Sequence, residues 1–271
     1  VDSSLAEMAG QCSRCVKLRN PLSEDLDSMR TALIPNLLGV LQRNQAFGTS
    51  DISVFEIGKV YYQDTDKEIG EKLSVAGAIA GSGWNNAWNL PENALDADFF
   101  LCKGLVESLF GALGIESVEF EAVEEPLLHP TRAARVLIGG RPVGILGEVA
   151  PAIRESLDLR ERAYVYELDF QALMDAAPKV LKYHQVPRYP ALSRHIAVVV
   201  GDEVSYDRLE RIIRASGKGV IEDARLLEVY KGEQIGEGRS ALTISMLFRS
   251  LEKTLTDEEV NAVLGEVKEA L

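Results

Sequence analysis

Cys12-Ser13-Arg14-Cys15 sets two thiols at the spacing of a zinc half-site or a redox pair. A structural zinc needs four ligands, and the rest of the chain offers only Cys102 and the scattered His129, His184 and His195. A redox pair wants a helix N-terminus in a thioredoxin-like setting, which the surrounding residues do not provide, so the cysteines read as free thiols. Gly81-Ser82-Gly83 follows an apolar run and invites a phosphate-loop reading. The next residues, Trp84-Asn85-Asn86, supply neither a third spaced glycine nor a Lys-Ser/Thr pair, and a Gly-rich turn fits better. No G-x-S-x-G elbow or H-E-x-x-H pair occurs. His129 reads as a turn residue before Pro130, and His195 as the start of a strand. Arg208, Arg211, Arg214 and Lys218 would share about a third of a helix circumference at ~100° per residue. Asp207 and Glu210 sit on or beside that arc, so the pattern suits a solvated mixed-charge face and, alternatively, a stripe tracking RNA phosphates. Lys231, Arg239, Arg249 and Lys253 fall at predicted strand ends and loops, where they could add phosphate contacts.

These groups need a scaffold, and 271 residues suffice for one large domain or two smaller ones. An apolar content of 46% supplies a core and excludes wholesale disorder. No apolar run reaches the ~18 residues of a membrane span, and the first residues lack a secretory pattern. Val1 in place of Met predicts a processed product or a piece of something longer. Three cysteines argue against a disulfide scaffold and fit a reducing cytoplasm. With 42 acidic against 29 basic side chains the net charge is −13, which argues against an autonomous nucleic-acid binder. The surplus is uneven: residues 1–184 carry 17 basic and 27 acidic groups, residues 185–271 carry 12 and 15. The boundary predicted between them lies in 176–186, just ahead of Pro187-Arg188-Tyr189-Pro190, whose prolines favour an extended path.

The first segment, 1–175, mixes strands and helices. Cys15–Leu18 reads as a strand entering the turn at Asn20-Pro21. Pro35 suits the first position of a helix, and Leu37, Leu38, Val40 and Leu41 form an apolar stripe through Gln45. Strands are predicted over 52–61, 73–80, 118–122, 134–138, 142–149 and 163–168, a helix over 103–113, and a short one opening at Pro151. Strands in runs with helices between some of them imply an α+β fold with a mostly antiparallel sheet. In the second segment, 187–271, Arg194–Val200 is a strand and Ser205 can cap a helix to Ala215. Val220–Tyr230 and Ala241–Phe248 are long strands, and Thr256 with Glu259 forms a capping box for a last helix. The order βαββα is a ferredoxin-like βαββα(β) unit without its final strand.

Several motifs then become familiar. Asn20-Pro21-Leu22-Ser23 and Met29-Arg30-Thr31-Ala32-Leu33-Ile34-Pro35-Asn36-Leu37-Leu38 resemble the NPLS…LRTSLLPGLL signature of bacterial phenylalanyl-tRNA synthetase β subunits. Phe55-Glu56-Ile57-Gly58-Lys59-Val60-Tyr61 is similar to that family's FEIGRVF strand. Asp98-Phe99-Phe100 with Lys103-Gly104, His129-Pro130-Thr131-Arg132-Ala133-Ala134, Gly144–Pro151 and Tyr166-Glu167-Leu168-Asp169 follow in family order. Arg188–Arg194, Val229-Tyr230-Lys231-Gly232, Gly238–Leu242 and Arg249–Val260 continue it through a ferredoxin-fold anticodon-binding domain.

The resemblance implies a class II synthetase-like module that does no catalysis, since aminoacylation in this family belongs to the α subunit. Active class II sites hold the α-phosphate with a motif-2 Arg and the γ-phosphate with a G-x-G-x-x-R Arg. The strand from Ile52 to Tyr62 contains no Arg, Gln63-Asp64-Thr65-Asp66 follows it, and no G-x-G-x-x-R occurs. Catalytic and metal residues are therefore expected to be none, with ATP and Mg used by the whole complex and not bound here. The implied partners are the α subunit, through a surface including Pro35, Leu37, Leu38 and Leu41, and tRNA(Phe), through Arg188, Tyr189, Arg194, Tyr230, Lys231, Arg249 and Lys253. Two departures stand out: Arg194-His195 where the family carries Arg-Asp, and the missing final strand. A carboxy-terminal fragment of a longer subunit is expected. A stand-alone class II-fold amino-acid–ATP ligase and a pure assembly scaffold without RNA contact stay open as alternatives.

Overall fold

The computed structural model describes residues 15–21, 27–63, 68–82, 96–116, 118–180, 183, 185–232 and 234–271. Cys12 of the CxxC pair, Leu22-Ser23, Asp64-Thr65-Asp66, Gly83 to Asn86 and His184 lie outside the described residues. The chain divides into two units, Val1–Leu181 and Lys182–Leu271.

The first unit is built on α1 (Ile34–Ala46), β1 (Ile52–Gln63), β2 (Ile69–Ala80), α2 (Phe99–Leu113), β3 (Val118–Ala122), β4 (Leu128–Ile138), β5 (Arg141–Val149), α3 (Pro151–Ser156), β6 (Ala163–Asp169) and α4 (Phe170–Ala176). Its six strands pair antiparallel throughout in the order β1-β2-β6-β5-β4-β3. Alternation sorts the side chains. Ile52, Val60, Ala76 and Ala78 join Leu37, Leu38 and Leu41 of α1 on one face. Val75, Ile79, Val136 and Leu146 join Cys102, Val106 and Phe110 of α2 on the other. Helices on both faces explain why residues 74–80 of β2 are buried without alternation.

Some elements differ from the sequence reading for local reasons. The strand expected at Cys15–Leu18 reduces to one bridge, Lys17 opposite Ser28, closed by Leu18 N–H to Asp27 O at 2.7 Å and Met29 N–H to Val16 O at 2.8 Å. The helix expected from Lys103 starts four residues earlier, because Asp98 accepts the amide of Leu101 at 2.6 Å and caps it. β4 begins at Leu128, six residues before the predicted start, and passes Pro130 by a register shift between Leu128 and Ala133. The short α4 follows β6 directly, Asp169 capping it through Ala172 N–H at 3.0 Å.

The second unit contains β7 (Leu192–Gly201), α5 (Tyr206–Ser216), β8 (Ile221–Tyr230), β9 (Arg239–Phe248) and α6 (Asp257–Ala270). The sheet order is β7-β9-β8, antiparallel at both pairings. Leu242, Ile244, Met246 and Phe248 of β9 pack under Leu209 and Ile213 of α5 and Val260 and Val267 of α6. Both predicted caps are present: Ser205 accepts Arg208 N–H, and Thr256 and Glu259 form the reciprocal box.

Candidate nucleic-acid interface

The motif residues of the first unit meet in pairs across the sheet. Arg30 donates from Nη1 to Glu56 Oε1 at 2.6 Å and from Nε to the Lys59 carbonyl at 2.8 Å. Its guanidinium lies against Gly58, where a Cβ would come within 2.3 Å of Nη2, so the glycine makes room for the arginine. Arg132 grips Glu148 with two bonds, 2.5 Å from Nε and 3.2 Å from Nη2, and the Glu148 side chain is buried. Glu167 reaches from β6 to the start of α1, where its Oε2 accepts the amides of Leu33 at 2.9 Å and Ile34 at 3.1 Å. A helix without a cap of its own is thus capped from another strand. Burial pushes the Glu167 carboxyl above the usual range, against these two amides, which favour its charged form.

None of these groups is left free to attack or to move a proton. Among the described residues no three His, Cys, Asp or Glu side chains gather as a metal set. Cys102 is buried, and desolvation holds its thiol up at about 12, far from thiolate chemistry. His129 lies at the start of β4 and not in the expected turn, its Nδ1 accepting the Thr131 amide at 3.2 Å.

The second unit is different. Only one face of its sheet carries helices. On the other face register aligns His195 with Ser245 and Arg225, Ala197 with Thr243 and Glu228, and Val199 with Ala241 and Tyr230. Small residues of β9 form the floor of a shallow trough, flanked by His195 and Val199 of β7 and by Arg225, Glu228 and Tyr230 of β8. Tyr230 is 46% exposed, with its ring laid over Gly232, where a Cβ would fall 2.4 Å from the phenol oxygen. Arg239 stands at the start of β9, opposite Gly201, and has no carboxylate partner among the described residues.

Of the tRNA candidates named from the sequence, Tyr230 lies on this open face and Arg188 is exposed before β7. Arg194 faces the other way: it shares its position with buried Met246 and pairs with Asp257 in the first turn of α6. Lys231 pairs with Asp202 at 2.9 Å, Arg249 with Glu222 at 2.6 Å, and Lys253 with Glu259. The Tyr189 carbonyl accepts Arg249 Nη1 at 3.2 Å, so this pair locks the approach to β7. Three of the four cations of the helical stripe are paired, Arg211 by Asp207, Arg214 by Glu210 at 2.7 Å and Lys218 by Glu266 at 2.6 Å, while exposed Arg208 has no carboxylate partner among the described residues. His195, Arg225 and Ser245 were not singled out from the sequence as a face. The signal available was the alternation of Ser193, His195, Ala197 and Val199 with larger neighbours.

The interface candidates of the first unit require a correction. Pro35, Leu37, Leu38 and Leu41 are buried, Leu38 and Leu41 completely, because the stripe packs on the unit's own sheet. Among the apolar side chains that the first unit leaves exposed, which include Phe47 and Phe100, Phe55 at 71% and Ile57 at 51% lie on the edge strand β1 and on the face away from α1.

Comparison with known proteins agrees with these two units. Residues 2–170 match the family model described as phenylalanyl tRNA synthetase beta chain CLM domain, and residues 187–271 match the ferredoxin-fold anticodon binding domain. Over 95% of its length the chain is 42% identical to the phenylalanine–tRNA ligase beta subunit of Symbiobacterium thermophilum, covering 29% of that protein. It is 37% identical to the corresponding subunit of Moorella thermoacetica, over 95% of the chain and 32% of the relative. A pyrrolysyl tRNA synthetase from Desulfitobacterium hafniense superposes on 64% of the chain and 57% of its own, at 16% identity and a TM-score of 0.46. The chain spans about a third of the length of the curated relatives it matches. By the match over residues 2–170, it belongs to the phenylalanyl tRNA synthetase beta chain family.

Proposed function

We propose that this chain serves a phenylalanine–tRNA ligase as a non-catalytic part, docking on a catalytic α subunit and positioning tRNA(Phe) through its anticodon region in the cytoplasm. ATP and Mg act elsewhere in the complex. The observation that carries the reading is the uncovered sheet face of the second unit, within the stretch matching an anticodon-binding domain. A trough floored by Ala241, Thr243 and Ser245 admits unpaired bases close to the sheet. Tyr230 and His195 offer rings for stacking, and Arg225, Arg239 and Arg188 offer charge to the backbone. Arg225 pairs with Asp223 at 2.5 Å, but its side chain is largely exposed, and such a pair is worth only ~0–1 kcal/mol, so a phosphate can replace the aspartate.

Docking is assigned to the edge strand β1. Phe55 and Ile57 present an apolar strip on the terminal strand of the sheet, a surface that isolated domains normally protect. The motif pairs of the first unit, each closed on itself, support a module that shapes a surface and leaves chemistry to its partner.

A second reading, in which the second unit packs on protein and never meets RNA, is favoured by the ion pairs that hold Arg194, Lys231, Arg249 and Lys253. The two separate in a salt titration of tRNA binding by the complete α/β enzyme. Replacing Arg188, Arg225 and Arg239 together with Ala should weaken binding and reduce the slope of log affinity against log salt by up to about three. An unchanged affinity and slope would support the scaffold and sink the RNA face. The purified chain alone should show no amino-acid-dependent pyrophosphate exchange; a positive signal would favour the stand-alone ligase.

A further inference from the structure

α1 lies over β1, β2 and β6 on one face of the first sheet, and its start borders β5 and β4. A cleft of about 310 Å³ opens there, between the start of α1 and the β3–β4 loop. Its walls are of two kinds. Ile34, Pro35, Leu127 and Ile145 make an apolar side, while Arg135 and Glu125 bring opposite charges to the rim. Arg135 shares a cross-strand row with Ile145 and Glu167, so its guanidinium starts one strand away from an apolar floor.

The other charged groups lining the cleft are already engaged. Glu167 is held by the amides of Leu33 and Ile34. Asp169 caps α4 and lies 3.8 Å from Lys72. Arg135 and Glu125, in contrast, form no side-chain ion pair or hydrogen bond among the described residues, although both are partly buried. A partly buried arginine and a partly buried glutamate, each without a side-chain partner beside an apolar wall, leave two opposite charges available to a ligand.

We infer that this cleft binds a free α-amino acid with an apolar side chain, its carboxylate on Arg135, its ammonium on Glu125 and its side chain against Ile34, Pro35 and Ile145. The volume lies at the small end of ligand sites, ~300–1,000 Å³, which suits one amino acid and is tight for a nucleotide. Three carboxylates among the lining residues also disfavour a polyphosphate. Planar, two-pronged contact between guanidinium and carboxylate fixes the ligand's orientation and places its ammonium toward the loop that carries Glu125. This inference does not depend on RNA contact by the second unit.

Isothermal titration of the purified chain with leucine, isoleucine, methionine and phenylalanine tests it, alongside N-acetyl-leucine, which lacks the ammonium, and leucinamide, which lacks the carboxylate. Saturable binding of at least one free amino acid is expected. Either blocked derivative should bind at least roughly tenfold more weakly, the worth of one charge-assisted hydrogen bond. Arg135→Ala and, separately, Glu125→Gln should each give a similar loss, with thermal melts showing that both variants stay folded. Glu125 lies in a loop, so its variant remains informative even if the β4 variant fails to fold. No saturable heat with any free amino acid, equal binding of the blocked derivatives, or full binding by a folded Glu125→Gln variant would overturn the proposal.

Discussion

Glu148 is buried with one cation on it, so the energetic weight of that pair falls on the carboxylate. Arg132→Ala leaves a buried charge unpaired, and a loss of about 3 kcal/mol in unfolding free energy is expected by denaturant titration. Glu148→Ala removes the charge itself and should cost less, which is a check on the cause. Glu167 makes a pH prediction. Its folded-state pKa is raised above the ordinary value of 4.5 by burial, so the proton binds the folded chain more tightly than the unfolded one. The stability this adds is fully present below the unfolded pKa and is lost as pH rises through the folded one. Melting wild type and Glu167→Gln side by side should therefore show the wild-type advantage shrinking as pH rises from about 4. A difference that grows with pH would contradict the assignment. The motif residues themselves could be read from the sequence. Their pairing could not, because Arg30 meets Glu56 and Leu33 meets Glu167 only once the register of the sheet is set.

The helices of the second unit announced themselves through their caps, since Ser205 and the Thr256–Glu259 box are local signals that need no tertiary context. Thr256→Ala should destabilise that unit by about 1 kcal/mol. Asp98 gave the same kind of signal for α2, but the aromatic pair Phe99-Phe100 behind it does not look like a helical first turn. For α1 the sequence showed an apolar stripe without showing what the stripe faces, because periodicity reports that a side is buried and not against which partner. The structure puts that side on the unit's own sheet, which divides two mutations sharply. Leu38→Ala should cost about 3 kcal/mol of stability, with any loss of α-subunit binding following from unfolding. Phe55→Ser should leave the melting temperature close to wild type and weaken co-purification with the α subunit. If Phe55→Ser co-purifies normally, β1 is not the docking edge.

Across the whole molecule the net charge of −13 is a poor guide to where RNA could lie. Residues 185–271 hold 12 of the 29 basic groups and differ from neutrality by only three charges. Most of those cations are paired within the unit, so it is the geometry of one uncovered sheet face, more than any excess of charge, that makes it a candidate for unpaired bases. The central claim is that this face meets tRNA while the chain does no chemistry of its own. It is tested most directly by separating the two half-reactions of the complete α/β enzyme carrying Tyr230→Ala and Arg225→Ala. The account predicts that KM for tRNA(Phe) in aminoacylation rises about tenfold, the loss of roughly one stacking contact, while tRNA-independent pyrophosphate exchange stays at the wild-type rate. An unchanged KM for tRNA, or a loss of pyrophosphate exchange in the same variant, would contradict it.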